Sequence, residues 1–192
     1  KLGYAPDAWR AMEQHLQQKG HPPPLLSRTG LSKINEEKGR RYDRFRNRLL
    51  FPVHDVRGRC IGFGGRVIRD GDIPKYLNSP ETPFYRKSHV LYGLYEGMEE
   101  IRRRREMICV EGYLDVVRLH EFGFNNAVAP CGTALTEQHL QLVKRYADPG
   151  DATQIDEYSE TNIHFHQAIV ALAKSNLLAD MADSLFVHMR AI

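Results

Sequence analysis

The spacing of apolar and polar positions changes several times along the chain, and each change marks an element. After Pro6-Asp7, the residues Trp9, Met12 and Leu16 recur at helical spacing, which predicts a first helix closing at Gly20. "HPPPLL" reads as a Pro-rich turn, and "LSRTGLSKINEEKGR" as one short helical turn and a loop. From Tyr42 the pattern turns to that of strands. "RLLFPVHDVRGRCIGFGGRVI" predicts a hairpin: a strand, a turn over residues 55–59 containing Gly58, and a second strand ending at Ile68. A further turn, "RDGDIP", leads into the extended, polar "KYLNSPET". Residues 91–105 predict a helix that ends in "RRRRE". A β-α-β-α run follows: a strand at 107–110, a helix at about 113–122, a strand at 126–130, the loop "CGTALT", and a helix from Thr136, which would cap it, to Arg145. Strands alternating with helices imply a parallel sheet whose carboxyl edge carries the functional loops. The next stretch, "YADPGDATQIDEYSET", has no apolar run from which a third strand would form, and residues 155–190 read as one or two helices. The fold class is therefore α/β: a mixed α/β front, a parallel βαβα unit and an appended helical tail.

Charge divides the chain in the same way. Residues 1–150 carry 25 Lys and Arg against 18 Asp and Glu, whereas residues 151–192 carry 2 against 6. A basic front suits a polyanionic partner, and the shift marks a boundary. Cys60, Cys109 and Cys131 lie far apart with no CxxC pair, which argues against a disulfide framework or a cysteine zinc site and suits a reducing cytoplasm. No apolar run approaches the length of a membrane span, and no signal-peptide pattern is present. Because the first residue is Lys1, the sequence reads as a fragment of a longer chain.

Two groups of residues carry candidate chemistry. Glu111 opens the turn after "MICV", at the carboxyl end of a strand, where α/β folds place ligands. Asp115 stands one helical turn on and can share its face, so the two carboxylates suit a divalent cation or general-base work. The plainer reading of Glu111 is a solvated acid starting a helix. The second group is cationic. In "RRYDRFRNR", Arg44, Arg46 and Arg48 fall at every second position and would point to one face if the segment is extended. Arg57, Arg59, Arg66, Arg69 and Lys75 follow. Apolar residues alternating with these arginines must bury themselves, which gathers the charge into a ridge suited to phosphate contacts. "GFGGR" offers either a close backbone approach to a polyanion or a bulge.

Taken together, "YAPDAW", "YDRFRNRLLFPVHDVRGRCIGFGGRVI", "PKYLNSPETPFYRKSHVLYGLYE" and "VEGYLDVVRLHEFGFNNAVAPCGTALT" resemble bacterial DNA primases of the DnaG type, in that family's order, over residues 1 to about 147. The resemblance implies the RNA polymerase core that makes short RNA primers on single-stranded DNA in the bacterial cytoplasm. It divides the chain into a basic amino-terminal subdomain (1–104), a partial Toprim subdomain (105–147) and a tail (148–192). It implies Glu111 as the metal-site glutamate of the EGY motif, Asp115 as the motif's second acid, and Mg²⁺ or Mn²⁺ as the cofactor. It implies Arg44, Arg46, Arg66, Lys75, Tyr76, Asn78 and Lys87 as contacts to template and nucleotide. Single-stranded DNA and ribonucleotides are the implied partners, with the replicative helicase as a family partner whose binding module is absent here, as is the family's zinc module.

The sequence departs from that pattern where the family's DGD-type aspartates belong. Asp148 and Asp151 are three apart, and no apolar strand delivers them, so the metal site is expected to be incomplete. The tail resembles part of the FCD domain of GntR-type regulators. In that class Asn162 and His166 would share a helix face as metal ligands, but no tight metal is expected without the later histidines. An abrupt join between two such families points to a fused or misassembled frame or an engineered chimera. Two other readings remain: a Toprim nuclease or topoisomerase, disfavoured by "KYLNSPET", and a non-enzymatic regulator defined by the tail.

Overall fold

The computed structural model describes residues 1–37, 39–69, 73–132 and 134–147. The expected hairpin is the centre of the front half. Strands β4 (Arg48–His54) and β5 (Cys60–Val67) pair antiparallel, and β1 (Gly3–Ala5) and β6 (Tyr76–Asn78) flank them in the order β1-β4-β5-β6. The hairpin closes because the Asp55 carboxylate accepts the N–H groups of Arg57 and Arg59, both at 2.9 Å, while Gly58 takes φ +78°. Phe51 and Val53 alternate onto one face of β4 and are fully buried.

Ahead of this sheet the structure departs from the pattern reading three times. The first helix, α1 (Ala11–Gln18), forms as expected, but Trp9 lies outside it and is exposed. The proline run opens a helix rather than a turn: Pro22 is extended and Pro23 and Pro24 begin α2 (Pro23–Arg28). A proline in the first turn lacks only an N–H that would have had no helical partner. The stretch read as a helical turn and loop holds a second hairpin, β2 (Ser32–Asn35) against β3 (Arg40–Asp43). Its strands are four residues long and mostly polar, so no period-2 signal marks them. Helix α1 lacks a cap from its own flank. The Asp43 carboxylate supplies one across 30 positions, accepting from Met12 N at 2.7 Å and Glu13 N at 3.1 Å.

The β-α-β-α unit stands as read: β8 (Ile108–Cys109), α4 (Tyr113–Glu121), β9 (Ala127–Pro130) and α5 (Glu137–Tyr146), with β8 and β9 parallel. (The intervening labels belong to β7, Leu91–Tyr92, and α3, Leu94–Arg104.) Thr136 caps α5, its hydroxyl accepting from His139 N at 3.3 Å. Residues 91–105 are not all helix, because β7 pairs antiparallel with β9 before α3 begins. The sheet is therefore mixed, in the order β7-β9-β8, with every residue of β9 buried. Gly93, at φ +85°, turns the chain from β7 into α3. The helical tail and the absence of a third parallel strand at 148–156 fall outside the described residues. No helix among the described residues is long and apolar enough to cross a membrane.

Candidate nucleic-acid and metal site

Glu111 follows β8 after one residue, Val110. The ladder continues through Val110, whose N–H donates to Val128 O at 2.8 Å, and then releases the acid into solvent. Glu111 is exposed at the carboxyl edge, with no hydrogen bond or ion pair among the described residues. Asp115 is differently placed. One of its carboxylate oxygens accepts from Gly112 N at 3.1 Å, so it satisfies an orphan donor at the start of α4. Asp115 therefore helps to start α4, whatever else its second oxygen does. Tyr113, between the two acids, turns inward. Its ring stacks on Phe51 at 5.4 Å and meets the edge of Tyr92 at 4.8 Å, and burial pushes its hydroxyl well above the ordinary tyrosine range.

The Tyr113 hydroxyl donates to Asn78 Oδ1 at 2.7 Å. Asn78 Nδ2 in turn donates to Cys131 O at 3.1 Å, in the loop after β9. The Asn78 carbonyl accepts a fork from Arg44, Nε at 3.0 Å and Nη2 at 2.7 Å. One residue at the end of β6 thus holds the front sheet to the start of α4 and to the loop after β9. Two glycines make room for it. A Cβ on Gly64 would stand 2.4 Å from the Tyr113 ring, and one on Gly132 would stand 2.1 Å from Asn78 Nδ2. Gly65 likewise leaves space for Phe45. The "GFGG" cluster is therefore an internal packing device, and not a surface held open for a polyanion.

The structure does not line up the arginines as one ridge. The chain bends between β3 and β4, with Asn47 at φ +50°, so Arg44, Arg46 and Arg48 diverge. Arg44 serves Asn78. The Arg46 guanidinium lies 3.6 Å over the Trp9 ring. Arg48 is buried, with Nη1 at 3.5 Å from the carbonyls of Gly65 and Lys75. On β5 and β6 a cation and a ring do meet, with Lys75 just ahead of β6. Arg66 and Tyr76 are cross-strand partners, with the guanidinium 5.7 Å from the ring, and Lys75 beside them is exposed. Gly64 pairs with Asn78 two positions along, so one sheet face runs from Arg66 and Tyr76 through Asn78 to Tyr113, two residues from Glu111.

Lys87 is half-buried and is fixed by its backbone. Its N–H donates to Glu81 Oε1 at 3.1 Å, and its carbonyl accepts from His139 Nε2 at 2.8 Å. Thr136 Oγ1 donates to Ser88 O at 2.9 Å, so the start of α5 clamps this turn. Sequence reasoning missed His139 and Tyr113, because both act through contacts 52 and 35 positions away. Among the described residues no three His, Cys, Asp or Glu side chains converge to hold a metal. The donor chemistry present, carboxylate oxygen from Glu111 and in part from Asp115, suits Mg²⁺ or Mn²⁺. Asp148, Asp151, Asn162 and His166 lie outside the described residues.

Comparison with known proteins gives this geometry a context. The family model of the DNA primase catalytic core, N-terminal domain, matches residues 1–98, and that of the Toprim domain matches residues 105–174. The DNA primase of Deinococcus radiodurans is 48% identical over 145 residues, 76% of this chain and 25% of its own length. That of Pseudomonas putida is 50% identical over 144 residues, 75% of this chain and 22% of its own length. The chain thus spans about a quarter of the curated relatives it matches. Among solved structures, the RNA polymerase domain of Mycobacterium tuberculosis primase DnaG, in complex with a double-stranded DNA oligomer with a 6-nucleotide overhang, superposes with a TM-score of 0.72. It is 39% identical and is matched over 78% of this chain and 47% of that one. A DnaG primase catalytic domain bound to single-stranded DNA gives 0.67 at 45% identity, over 76% of this chain and 44% of that one.

Proposed function

Because this chain belongs to the DNA primase catalytic-core family, we propose that it is a template-binding part of a primer-synthesising RNA polymerase, in which binding is separable from chemistry. The observation that carries this reading is the continuous face from Arg66 and Tyr76, through Asn78, to the edge where Glu111 stands. Arg66 and Lys75 supply phosphate contacts, and Tyr76, 42% exposed, supplies a ring on which a base stacks. Asn78 and Arg44 hold this face against the carboxyl edge from within. Lys87, with its backbone clamped, presents its ammonium to a nucleotide phosphate. The family implies a divalent metal. Glu111 would hold it, with Asp115 contributing its remaining oxygen, and the ion would neutralise charge developing on the transferring phosphate. Two carboxylates leave most of an octahedral shell to water, so the described residues do not by themselves hold such an ion tightly.

The test has two arms. Fluorescence anisotropy of a labelled single-stranded oligonucleotide at several salt concentrations should show an affinity that falls with salt. Arg66→Glu with Lys75→Glu should flatten the log–log slope by ~1.4, the value expected from losing two phosphate contacts on a single strand. Primer synthesis with ribonucleotides and Mg²⁺ or Mn²⁺ should be undetectable. Affinity indifferent to both salt and charge reversal refutes the binding reading. Robust synthesis that is lost in Glu111→Gln refutes the separation of binding from chemistry.

A further inference from the structure

His139 is a fully buried titratable side chain to which the template-binding face gives no task. It is the third residue of α5, and both of its ring nitrogens are bonded to backbone atoms. Nδ1 accepts from the N–H of Thr136 at 3.2 Å and closes a capping box with the Thr136 hydroxyl. Nε2 stands 2.8 Å from the Lys87 carbonyl, 52 positions away. A carbonyl can only accept, so Nε2 carries the ring proton and Nδ1 carries none. Capping α5 needs Nδ1 alone, and the Glu or Gln usual at this place in a capping box would do it as well. The bond to Lys87 is therefore additional to the cap. Lys87 opens a short 3₁₀ turn, Lys87–His89. Its carbonyl also receives Val90 N at 3.5 Å and its N–H donates to Glu81 Oε1 at 3.1 Å, so the backbone is tied on both sides. The side chain is half-buried, yet its ammonium makes no hydrogen bond or ion pair among the described residues. Burial raises the Cys131 thiol pKa, and the Lys87 charge is among the groups that pull against it, which puts the ammonium near the loop after β9. That loop is the one to which Asn78 is bonded. An unpaired ammonium at this edge suits a phosphate, and its aim is set by the backbone that carries it.

We propose that His139 is a positioning residue for nucleotide binding: through its Nε2–H it holds the Lys87 carbonyl, and so aims the Lys87 ammonium at the phosphates of a ribonucleotide. This rests on the assignment of Lys87 to nucleotide given above. It makes the seating of α5 part of the geometry of the site, because a shift of the helix start reaches Lys87 through one imidazole.

Two substitutions separate positioning from stability. In His139→Asn the amide oxygen stands near the place of Nδ1 and keeps the Thr136 bond, while the Lys87 bond is lost. In His139→Gln the amide nitrogen reaches the place of Nε2 and keeps the Lys87 bond, while the cap is lost. Each variant loses one bond, so thermal melts by circular dichroism should fall by similar amounts. With the full chain held below these transitions, GTP with Mg²⁺ is titrated by calorimetry. His139→Asn should bind about tenfold more weakly than the wild type, and His139→Gln within about twofold of it. Lys87→Met should lose at least as much as His139→Asn, and adding His139→Asn to Lys87→Met should cost nothing further. Without nucleotide, amide hydrogen exchange at Lys87 and Val90 should quicken in His139→Asn and not in His139→Gln. Equal losses of affinity in the Asn and Gln variants show a core residue only and overturn the proposal. So does a His139→Asn loss that is undiminished in the Lys87→Met background, or exchange at Lys87 that ignores His139→Asn. If exchange responds as expected but Lys87→Met binds GTP as the wild type does, the assignment of Lys87 is what fails, and this inference falls with it.

Discussion

Replacing Asn78 by Ala removes two side-chain hydrogen bonds and strands both partners, the Tyr113 hydroxyl and the Cys131 carbonyl. Net hydrogen-bond contributions cluster near ~1 kcal/mol each, and a partner left unsatisfied away from water costs at least as much. The expected destabilisation is therefore ~2 kcal/mol, or about 4–8 °C in melting temperature for a unit of this size. Asn78→Asp should be worse. It places a carboxylate oxygen where Nδ2 now donates, 3.1 Å from the Cys131 carbonyl, so two acceptors face each other in a half-buried site. The Arg44 fork goes to the backbone carbonyl and is retained in both variants. Urea unfolding gives the ordering, wild type above Ala above Asp, with the m-value unchanged. Oligonucleotide affinity measured on the same samples below the transition separates a brace from a ligand contact. If Asn78→Ala unfolds within about 0.5 kcal/mol of the wild type yet loses tenfold in DNA affinity, the internal bonds are not its role and the reasoning is wrong.

Gly64→Ala should displace the Tyr113 ring, which Phe51 and Tyr92 hold on its other sides, and cost ~1–3 kcal/mol as overpacking; near-neutral unfolding energetics would show that the ring has room to move. Asp43→Ala removes the long-range cap of α1 and should cost ~1–2 kcal/mol in urea unfolding. Burial raises the Asp43 carboxyl pKa against the pull of the Met12 and Glu13 N–H groups, so the folded state takes up this proton more readily than the unfolded one. Its contribution to stability should therefore decline as pH rises from the usual 3.8 through the folded value, and a carboxyl ¹³C titration midpoint at or below 3.8 would contradict this. Hydrogen bonds from Arg103 and Arg104 hold the Glu100 carboxyl down at about 2, so its small, exposed contribution is present above pH 4.5 and lost as pH falls toward 2; high salt should move its NMR midpoint upward.

The elements most visible in the sequence were those whose local pattern and burial agree. The β4–β5 hairpin alternates, turns on a glycine and buries one face. The β8–α4–β9–α5 unit switches period cleanly, and Thr136 caps its last helix as its position suggested. Elements fixed from a distance were not visible. Strand β7 is two residues long and exists because β9 lies beside it. The β2–β3 hairpin has only Ile34 as an apolar outlier in its first strand, and Ile34 is 50% exposed. At the candidate site, Glu111 sits where its position after an apolar run placed it. The arginine alternation misled because it presumed an extended chain across Arg44–Arg48, where a left-handed Asn47 bends it. Asn78 could be named from the family motif, but its inward role depends on Tyr113 and Cys131, 35 and 53 positions away.

The Cys131 thiol, fully buried beneath the carbonyl that receives Asn78, gives this junction a built-in clock. Burial raises its pKa, so no alkylating reagent reaches a reactive thiolate until the loop after β9 lifts away. Cys60 is exposed and reacts from the closed state, at a rate lowered by the partial burial that also raises its pKa. The ratio of their labelling rates, with Cys60 as the internal standard, converts into the free energy with which the two halves of the site part company in the native protein, without unfolding the rest. A bound strand that bridges the halves must slow the Cys131 rate alone, which turns an inert core thiol into a gauge of how firmly the template-binding face and the acidic edge are held in register.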